Sequence, residues 1–420
     1  MIPFGFGLST VVSPRPESPD AVTERKVVDM SSRRRGAVAV LLAGAVAGGA
    51  VTLTACGSGE AAAASREPER LALPAPTGAH AVGRDSLHLV DMDRRDPWVP
   101  KAGARELMVS MYYPAYHPAR KASRAPAPYM STEGARAFLK EMKLELPAEV
   151  LGSTRTHTYE GAKARHGKFP LVVLSPGFRT PGATLTGLAE DLTSRGYVVA
   201  VVDHAYEAAG VAFPGRGILP CTACGKVGPT TFGPAAKGRA KDLRFVLDRL
   251  VGRKSPWKHA DLIDKSRVGT GGHSLGGAAA AATMAEDPRV RAGVNMDGPF
   301  VDSGDKSGLS GRPFLMMGTE ADHSPGGEDA SWDATWKRLE GWKRWLTLSG
   351  ADHFAFTDLA PLAGQLGEDD PEGLPGRRAA EITRDYAGAF FDEQLRHRHT
   401  PLFDGPSKAN PEVIFQHGPR

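Results

Sequence analysis

From Leu171 onward the chain alternates near-continuous apolar runs with segments of helical spacing, and this alternation restricts the possible folds more than any other feature. The runs Leu171–Leu174, Tyr197–Val202, Ala292–Met296, Phe314–Met317 and Trp345–Leu348 suit parallel strands covered on both faces. Two earlier runs, Ser86–Val90 and Glu106–Tyr113, are also β-type. After Lys237, residues Leu243, Val246, Leu247, Leu250 and Val251 are spaced as one face of a helix. Further helices are expected over Ala183–Ser194, Ser274–Met284, Ser331–Trp342 and Arg378–Leu395. Strand then helix, repeated, predicts the α/β class: a mostly parallel twisted sheet with helices on both faces and right-handed crossovers. Ligands in such sheets bind at the carboxyl ends of the strands. Residues 123–165 interrupt the pattern as an excursion with one helical piece, Thr132–Lys143.

The first part of the chain reads as an export segment rather than as fold. Arg33–Arg35 precede an uncharged run, Gly36–Ala55, and then Cys56, in the order basic region, apolar region, processing site. Leu53-Thr54-Ala55-Cys56 resembles the bacterial lipobox, in which the cysteine is lipidated and becomes the new N-terminus. Residues 1–29 are expected to be an over-extended start, 30–55 a lipoprotein signal peptide and 56–75 a flexible tether. The catalytic domain follows over 76–400, with 401–420 as a tail. The domain is therefore expected outside the cytoplasm, tethered to a membrane surface through lipid on Cys56 or released. Ser32-Arg33-Arg34 points weakly to twin-arginine export.

The chain carries 52 Lys and Arg against 48 Asp and Glu, and removing the first 55 residues, with six bases and four acids, leaves a net charge of +2. Nothing in that balance calls for nucleic acid, and no obligate protein partner is expected. Cys221 and Cys224 are spaced to close a small local disulfide in an oxidising compartment. A zinc site would need two further ligands at matching spacing, so neither metal nor organic cofactor is expected.

The chemistry concentrates at Gly272-His273-Ser274-Leu275-Gly276-Gly277, a Gly-x-Ser-x-Gly string. Such a serine sits at a sharp strand-to-helix turn, where side chains at the flanking positions would collide with the neighbouring strand and helix. The small residues Ala278–Ala282 suit the helix that follows, whereas Arg267–Gly271 is a poor strand by composition, with one large apolar residue. Ser274 is the expected nucleophile of an α/β-hydrolase fold. It needs a base, and His353 follows a predicted strand through the turn Ser349–Asp352, while His323 lies on an earlier loop. Two acids, Asp297 and Asp322, each lie just past a predicted strand and in the chain order serine, acid, histidine; pattern alone slightly favours Asp322. The turn Ser175-Pro176-Gly177-Phe178 is placed to supply a second oxyanion amide, from Phe178, beside that of Leu275. Trp332 and Trp336, one turn apart, are expected to pack against the sheet rather than to line an acyl pocket.

From about Pro76 to Asp358 these segments resemble the secreted, calcium-independent platelet-activating factor acetylhydrolase family. The resemblance is carried by Pro76-Thr77-Gly78 with Val82-Gly83, by Phe169–Phe178, by Asp191–Val199 with Asp203-His204, by Arg239–Asp242, by Asp264–Val268 and by His353–Asp358. It implies that the acid lies on the strand after the elbow helix, which here ends Asn295-Met296-Asp297-Gly298, so Asp297 is taken over Asp322. It also implies short-acyl or oxidised phospholipids as substrates, with a general lipase, esterase or polyester hydrolase as the neighbouring alternative. A non-catalytic binding lipoprotein is the rival from another class. Three departures bear on substrate choice: Pro176 where a histidine is usual, a Gly-rich strand before the elbow, and Gly215–Gly233, which carries the cysteine pair in what looks like an insertion.

Overall fold

The computed structural model describes residues 70–117, 126–301 and 308–417. The export segment, Cys56 and most of the tether lie outside the described residues. Twelve strands are present: β1 Ala81–Arg95, β2 Ala104–Ala115, β3 Thr158–Glu160, β4 Phe169–Ser175, β5 Val198–His204, β6 Ala212–Phe213, β7 Gly217–Ile218, β8 Ile263–His273, β9 Val290–Met296, β10 Phe314–Thr319, β11 Lys343–Leu348 and β12 Val413–Gln416. Ten of them form one sheet in the order β12-β11-β10-β9-β8-β4-β5-β2-β1-β3, and β6 and β7 make a separate hairpin. The six strands from β5 to β11 in that order are parallel to their neighbours. The helices are α1 Thr132–Met142, α2 Ala148–Gly152, α3 Thr186–Ser194, α4 Pro229–Val251, α5 Leu275–Glu286, α6 Glu320–His323, α7 Ala330–Arg338, α8 Leu359–Gln365 and α9 Gly376–Arg396. This is the α/β-hydrolase architecture.

Strand periodicity divides the core into two layers. Leu171 and Val173 of β4 face one layer with Leu243, Val246 and Leu250 of α4, whereas Val172 and Leu174 face the other with Ile382, Phe390 and Phe391 of α9. The chain runs from β4 to β5 in one direction along the sheet and from β8 through β11 in the other. The order therefore reverses between β4 and β8, and the crevice at their carboxyl ends is where such a sheet leaves room for a ligand.

The weakest strand by composition, β8, explains its own glycines. A Cβ on Gly269 would lie 2.7 Å from the ring of Phe391, and one on Gly271 3.3 Å from Leu174. The neighbours fill the space that side chains of β8 would need, so the strand is apolar by surroundings and not by content. Trp332 is fully buried and Trp336 packs beside it against the same layer, as expected of packing residues.

Several boundaries differ from the expected ones for physical reasons. Leu71 and Leu73 are buried, and Leu73 N donates to Arg155 O (2.9 Å) while Arg155 N donates to Leu71 O (2.7 Å), so residues 71–75 belong to the fold and not to a tether. Of residues 401–420, expected to be a tail, the described part to 417 places Phe403 in the core and adds β12 antiparallel to β11. Within the excursion 123–165 the described residues contribute α1 and α2, which gather around Phe138 and Leu151, and β3, which pairs with β1. Helix α4 begins at Pro229, eight residues before Lys237, with Pro234 inside its first turns. Helix α7 stops at Arg338, which frees Trp342 to pack on Phe390 and Phe403 in the opposite layer. Among the described residues no helix is long and apolar enough to cross a membrane.

Candidate active site

Ser274 follows β8 directly and opens α5 with φ 55° and ψ −123°, a conformation that side chains rarely adopt. The surrounding glycines are what make it possible. A Cβ on Gly276 would lie 2.0 Å from Ser175 O, and one on Gly272 2.4 Å from the carbonyl carbon of Gly276. Ser274 N donates to Met296 O (2.8 Å), which ties the turn to the end of β9. Leu275 is the first residue of α5, so its N–H has no partner within the helix and joins the positive end of the helix dipole.

Asp297 lies one residue past β9, with its backbone at φ 58° and its amide held by Met317 O (2.7 Å). The next residue, Gly298, is pressed so closely on the elbow that a Cβ there would lie 2.1 Å from Ser274 O. The Asp297 carboxylate is fully buried and serves two imidazoles. Oδ2 accepts from His353 Nδ1 (2.6 Å), and Oδ1 accepts from His323 Nδ1 (2.6 Å) and from Thr319 N (2.7 Å). Burial alone would raise this carboxyl, but the charge of His323 and the hydrogen bonds of both histidines hold it well below the usual carboxylate range.

The two histidines are not equivalent. His323 is buried, stacks on Trp332 at a centroid distance of 4.2 Å, and has its Nε2 3.3 Å from Asp329 Oδ2. Burial lowers its pKa, yet Asp297 and Asp329 outweigh that and bring it up to about 9. Both of its nitrogens are committed to acids, so it has no lone pair to offer a hydroxyl. His353 commits only Nδ1 and keeps Nε2 as an acceptor, with its side chain 29% exposed. Asp322, in the single turn α6 beside His323, is not what orients His353; Asp297 is.

His273 joins the elbow to the loop of His353. Its Nε2 donates to His353 O (2.7 Å), and the two rings lie 4.6 Å apart between centroids. Its Nδ1 is buried with no partner and faces Gly177, where a Cβ would come within 2.7 Å. Burial, then the charge of His353, lowers its pKa to about 3, so it stays neutral. Asp297 and His353 are thus joined beside the elbow, through Gly298 packed on Ser274 O and through the bond from His273 to His353 O.

The turn after β4, which carries Phe178, rests on a buried ionic network. Arg239 of α4 donates through Nη1 to Pro176 O (2.5 Å) and Ser175 Oγ (3.3 Å), and through Nε to Glu207 Oε2 (2.7 Å). Glu207 Oε1 accepts from Arg105 Nη2 (2.6 Å) and from Trp98 Nε1 (2.9 Å). Arg105 also donates to Asp242 and Asp96, while His204 donates from Nδ1 to Asp242 (2.7 Å) and accepts from Ser175 Oγ at Nε2 (3.0 Å). Ligand atoms of His204, Glu207 and Asp242 lie within 4.8 Å of one another, a spacing a metal ion could use. Here the guanidinium groups of Arg105 and Arg239 already balance their charge. Cys221 and Cys224 are disulfide-bonded.

Sequence reasoning missed His323 as a partner of Asp297 and missed the network beneath the turn. A signal for the network exists: Arg239 and Asp242 share the buried side of α4 with Leu243 and Val246, and charges on an apolar face call for partners.

A mostly parallel sheet with helices on both faces, carrying a strained serine at a glycine elbow and a histidine held by a buried carboxylate, defines a serine ester hydrolase of the α/β-hydrolase fold. The sequence pattern of the family described as platelet-activating factor acetylhydrolase, isoform II, matches residues 66–214 and 246–368, and the chain belongs to that family. It is 28% identical over 390 residues to a probable 1-alkyl-2-acetylglycerophosphocholine esterase of Arthroderma benhamiae, covering 84% of this chain and 96% of that protein. It is 24% identical over 260 residues to a platelet-activating factor acetylhydrolase of Cavia porcellus, covering 56% of this chain and 58% of that one. A solved structure of a ferulic acid esterase from Streptomyces cinnamoneus superposes with a TM-score of 0.73 at 43% identity, covering 82% of this chain and 99% of that chain.

Proposed function

We propose that Ser274 attacks the carbonyl of a short-acyl or oxidised phospholipid, or a similar lipid ester, and forms an acyl-enzyme. His353 takes the serine proton at Nε2 and passes it to the leaving alkoxide; Asp297 fixes the tautomer and steadies the imidazolium. The amides of Leu275 and Phe178 hold the oxyanion, and water then releases the acid by the same steps in reverse. The observation that carries this reading is the 2.6 Å bond from His353 Nδ1 to a buried, ionised Asp297 on the residue next to the elbow contact. The full-length match to a probable acetylglycerophosphocholine esterase supports the substrate class. The Cys221–Cys224 disulfide suits an oxidising compartment and so supports export, with Cys56 as the proposed lipidation site that holds the enzyme at a membrane.

Hydrolysis of hydroxycinnamoyl esters is a second reading, favoured by the 43% identity with a ferulic acid esterase. A fluorophosphonate probe tests the shared mechanism: it should label the wild-type protein and not Ser274→Ala. Turnover of 1-alkyl-2-acetylglycerophosphocholine set against methyl ferulate then chooses between the two substrate classes. Asp297→Asn should lower kcat by about 10⁴ and Asp322→Asn by less than about twofold. The reverse order would move the acid to Asp322.

A further inference from the structure

The two stretches that match the family pattern leave out residues 215–245. That gap holds β7, the disulfide between Cys221 and Cys224, and most of α4. It also carries Val227 and Phe232, which pack with Phe178 and Trp98 over Leu275, Ala235, Ala236 and Ala278. All four of these outer side chains are partly exposed. They form an apolar shelf around the two residues whose amides serve the oxyanion, with Val301 closing it from the β9 side.

The shelf is pinned from below. The turn closed by the disulfide is fastened by Ala223 N donating to Tyr206 O (2.9 Å), and Val227 N donates to Ala223 O (2.9 Å). Lys226 Nζ donates to Trp98 O (2.5 Å), while Trp98 Nε1 is held by Glu207 of the ionic network. Strand order sets which half of the substrate meets it. Asp297 and His353 follow β9 and β11, on one side of β8; Phe178 follows β4, α4 lies on the connection that leaves β5, and Trp98 belongs to the β1–β2 connection, on the other. A leaving oxygen must face His353 to receive its proton. The acyl group bonded to Ser274 is then directed to the opposite side, over Leu275 and Phe178.

We propose that Phe232 and Val227, with Phe178 and Trp98, are the acyl-binding shelf of this enzyme, and that it selects an apolar acyl group larger than acetyl, chain or planar ring. The proposal rests on the acyl-enzyme reading above. Its test is the ratio of kcat/KM for p-nitrophenyl butyrate and p-nitrophenyl cinnamate to that for p-nitrophenyl acetate, measured on the full chain. Phe232→Ala should lower both ratios about tenfold, and Phe232→Leu should restore much of the butyrate ratio. Replacing both cysteines by serine should lower the ratios in the same direction by loosening the turn. Unchanged ratios in a folded Phe232→Ala protein that still takes fluorophosphonate at the wild-type rate would overturn the shelf. Wild-type protein that takes no label would instead overturn the role of Ser274. Should Phe232→Ala not fold by circular dichroism, Val227→Ser takes its place: lowered ratios support the shelf and unchanged ratios overturn it.

Discussion

Two sets of acids are equally buried in this molecule, and their pKa values move in opposite directions. Beneath the turn after β4, Glu207 and Asp242 are ionised: burial pushes both up, but Arg239 and Arg105 draw Glu207 down to about 2, and Arg105 with His204 draws Asp242 lower still. Beneath the other layer, Glu190 and Asp358 have no ion pair among the described residues. Glu190 accepts from Thr158 Oγ1 (2.6 Å) and His157 N (2.7 Å), and Asp358 from Gly187 N (3.0 Å). Burial there raises Glu190 to about 7 and Asp358 well above its usual range. Depth does not decide the charge of a carboxyl; a guanidinium within hydrogen-bonding distance does. The charged set lies under the turn after β4, where a fixed field and a rigid backbone would serve the proposed oxyanion amide of Phe178.

The hardest way to break this contrast is to remove a cation from the charged set. Arg105→Leu leaves Asp96, Glu207 and Asp242 short of a shared partner, and should cost about 3–5 kcal/mol in urea unfolding. A loss below about 1 kcal/mol would mean that the network is not ionised as described. The two sets should also shape opposite limbs of the stability–pH curve. Glu207, with its pKa lowered from 4.5 to about 2, contributes stability that is present above pH 4.5 and lost as pH falls through 2. Glu190, raised from 4.5 to about 7, contributes stability that is full below pH 4.5 and lost as pH rises through 7. Each shift corresponds to about 3 kcal/mol over its window. Glu190→Gln cannot ionise, so it should be more stable than the wild type by about 2 kcal/mol at pH 8.5 and close to it at pH 5. Equal urea midpoints for the two proteins at pH 8.5 would show that Glu190 ionises without penalty.

How legible this was in the sequence depends on whether a feature is local. The apolar runs that became β4, β5, β9, β10 and β11 identify themselves, because strands covered on both faces must be apolar throughout. The elbow is equally local, since its glycines answer contacts within a few residues and with the adjacent strand. Strand β8 was obscure because its apolar surroundings come from Phe391 and Leu395, more than a hundred residues away. Strand β12 was missed because four residues at a sheet edge show no pattern before their partner is known. The acid illustrates the limit at the site itself: Asp297 and Asp322 both follow strands, and only tertiary contact distinguishes the one that meets an imidazole. His323 was weighed as a base because spacing cannot show that both of its nitrogens face carboxylates.

That second histidine offers the smallest and sharpest test of the contrast, for it carries the paired-charge logic into the proposed triad. With a pKa of about 9, His323 is a cation at neutral pH, and it faces the carboxylate that also holds His353. It offsets part of the charge on Asp297, so that the acid remains ionised although fully buried. His323→Gln keeps a hydrogen-bond donor near Asp297 but removes the charge. Without that cation Asp297 takes up a proton more readily, so the acid limb of the kcat/KM profile should move to higher pH, with a loss of about tenfold near neutrality. A role in packing alone, through the stack on Trp332, would lower thermal stability and leave that limb where it was.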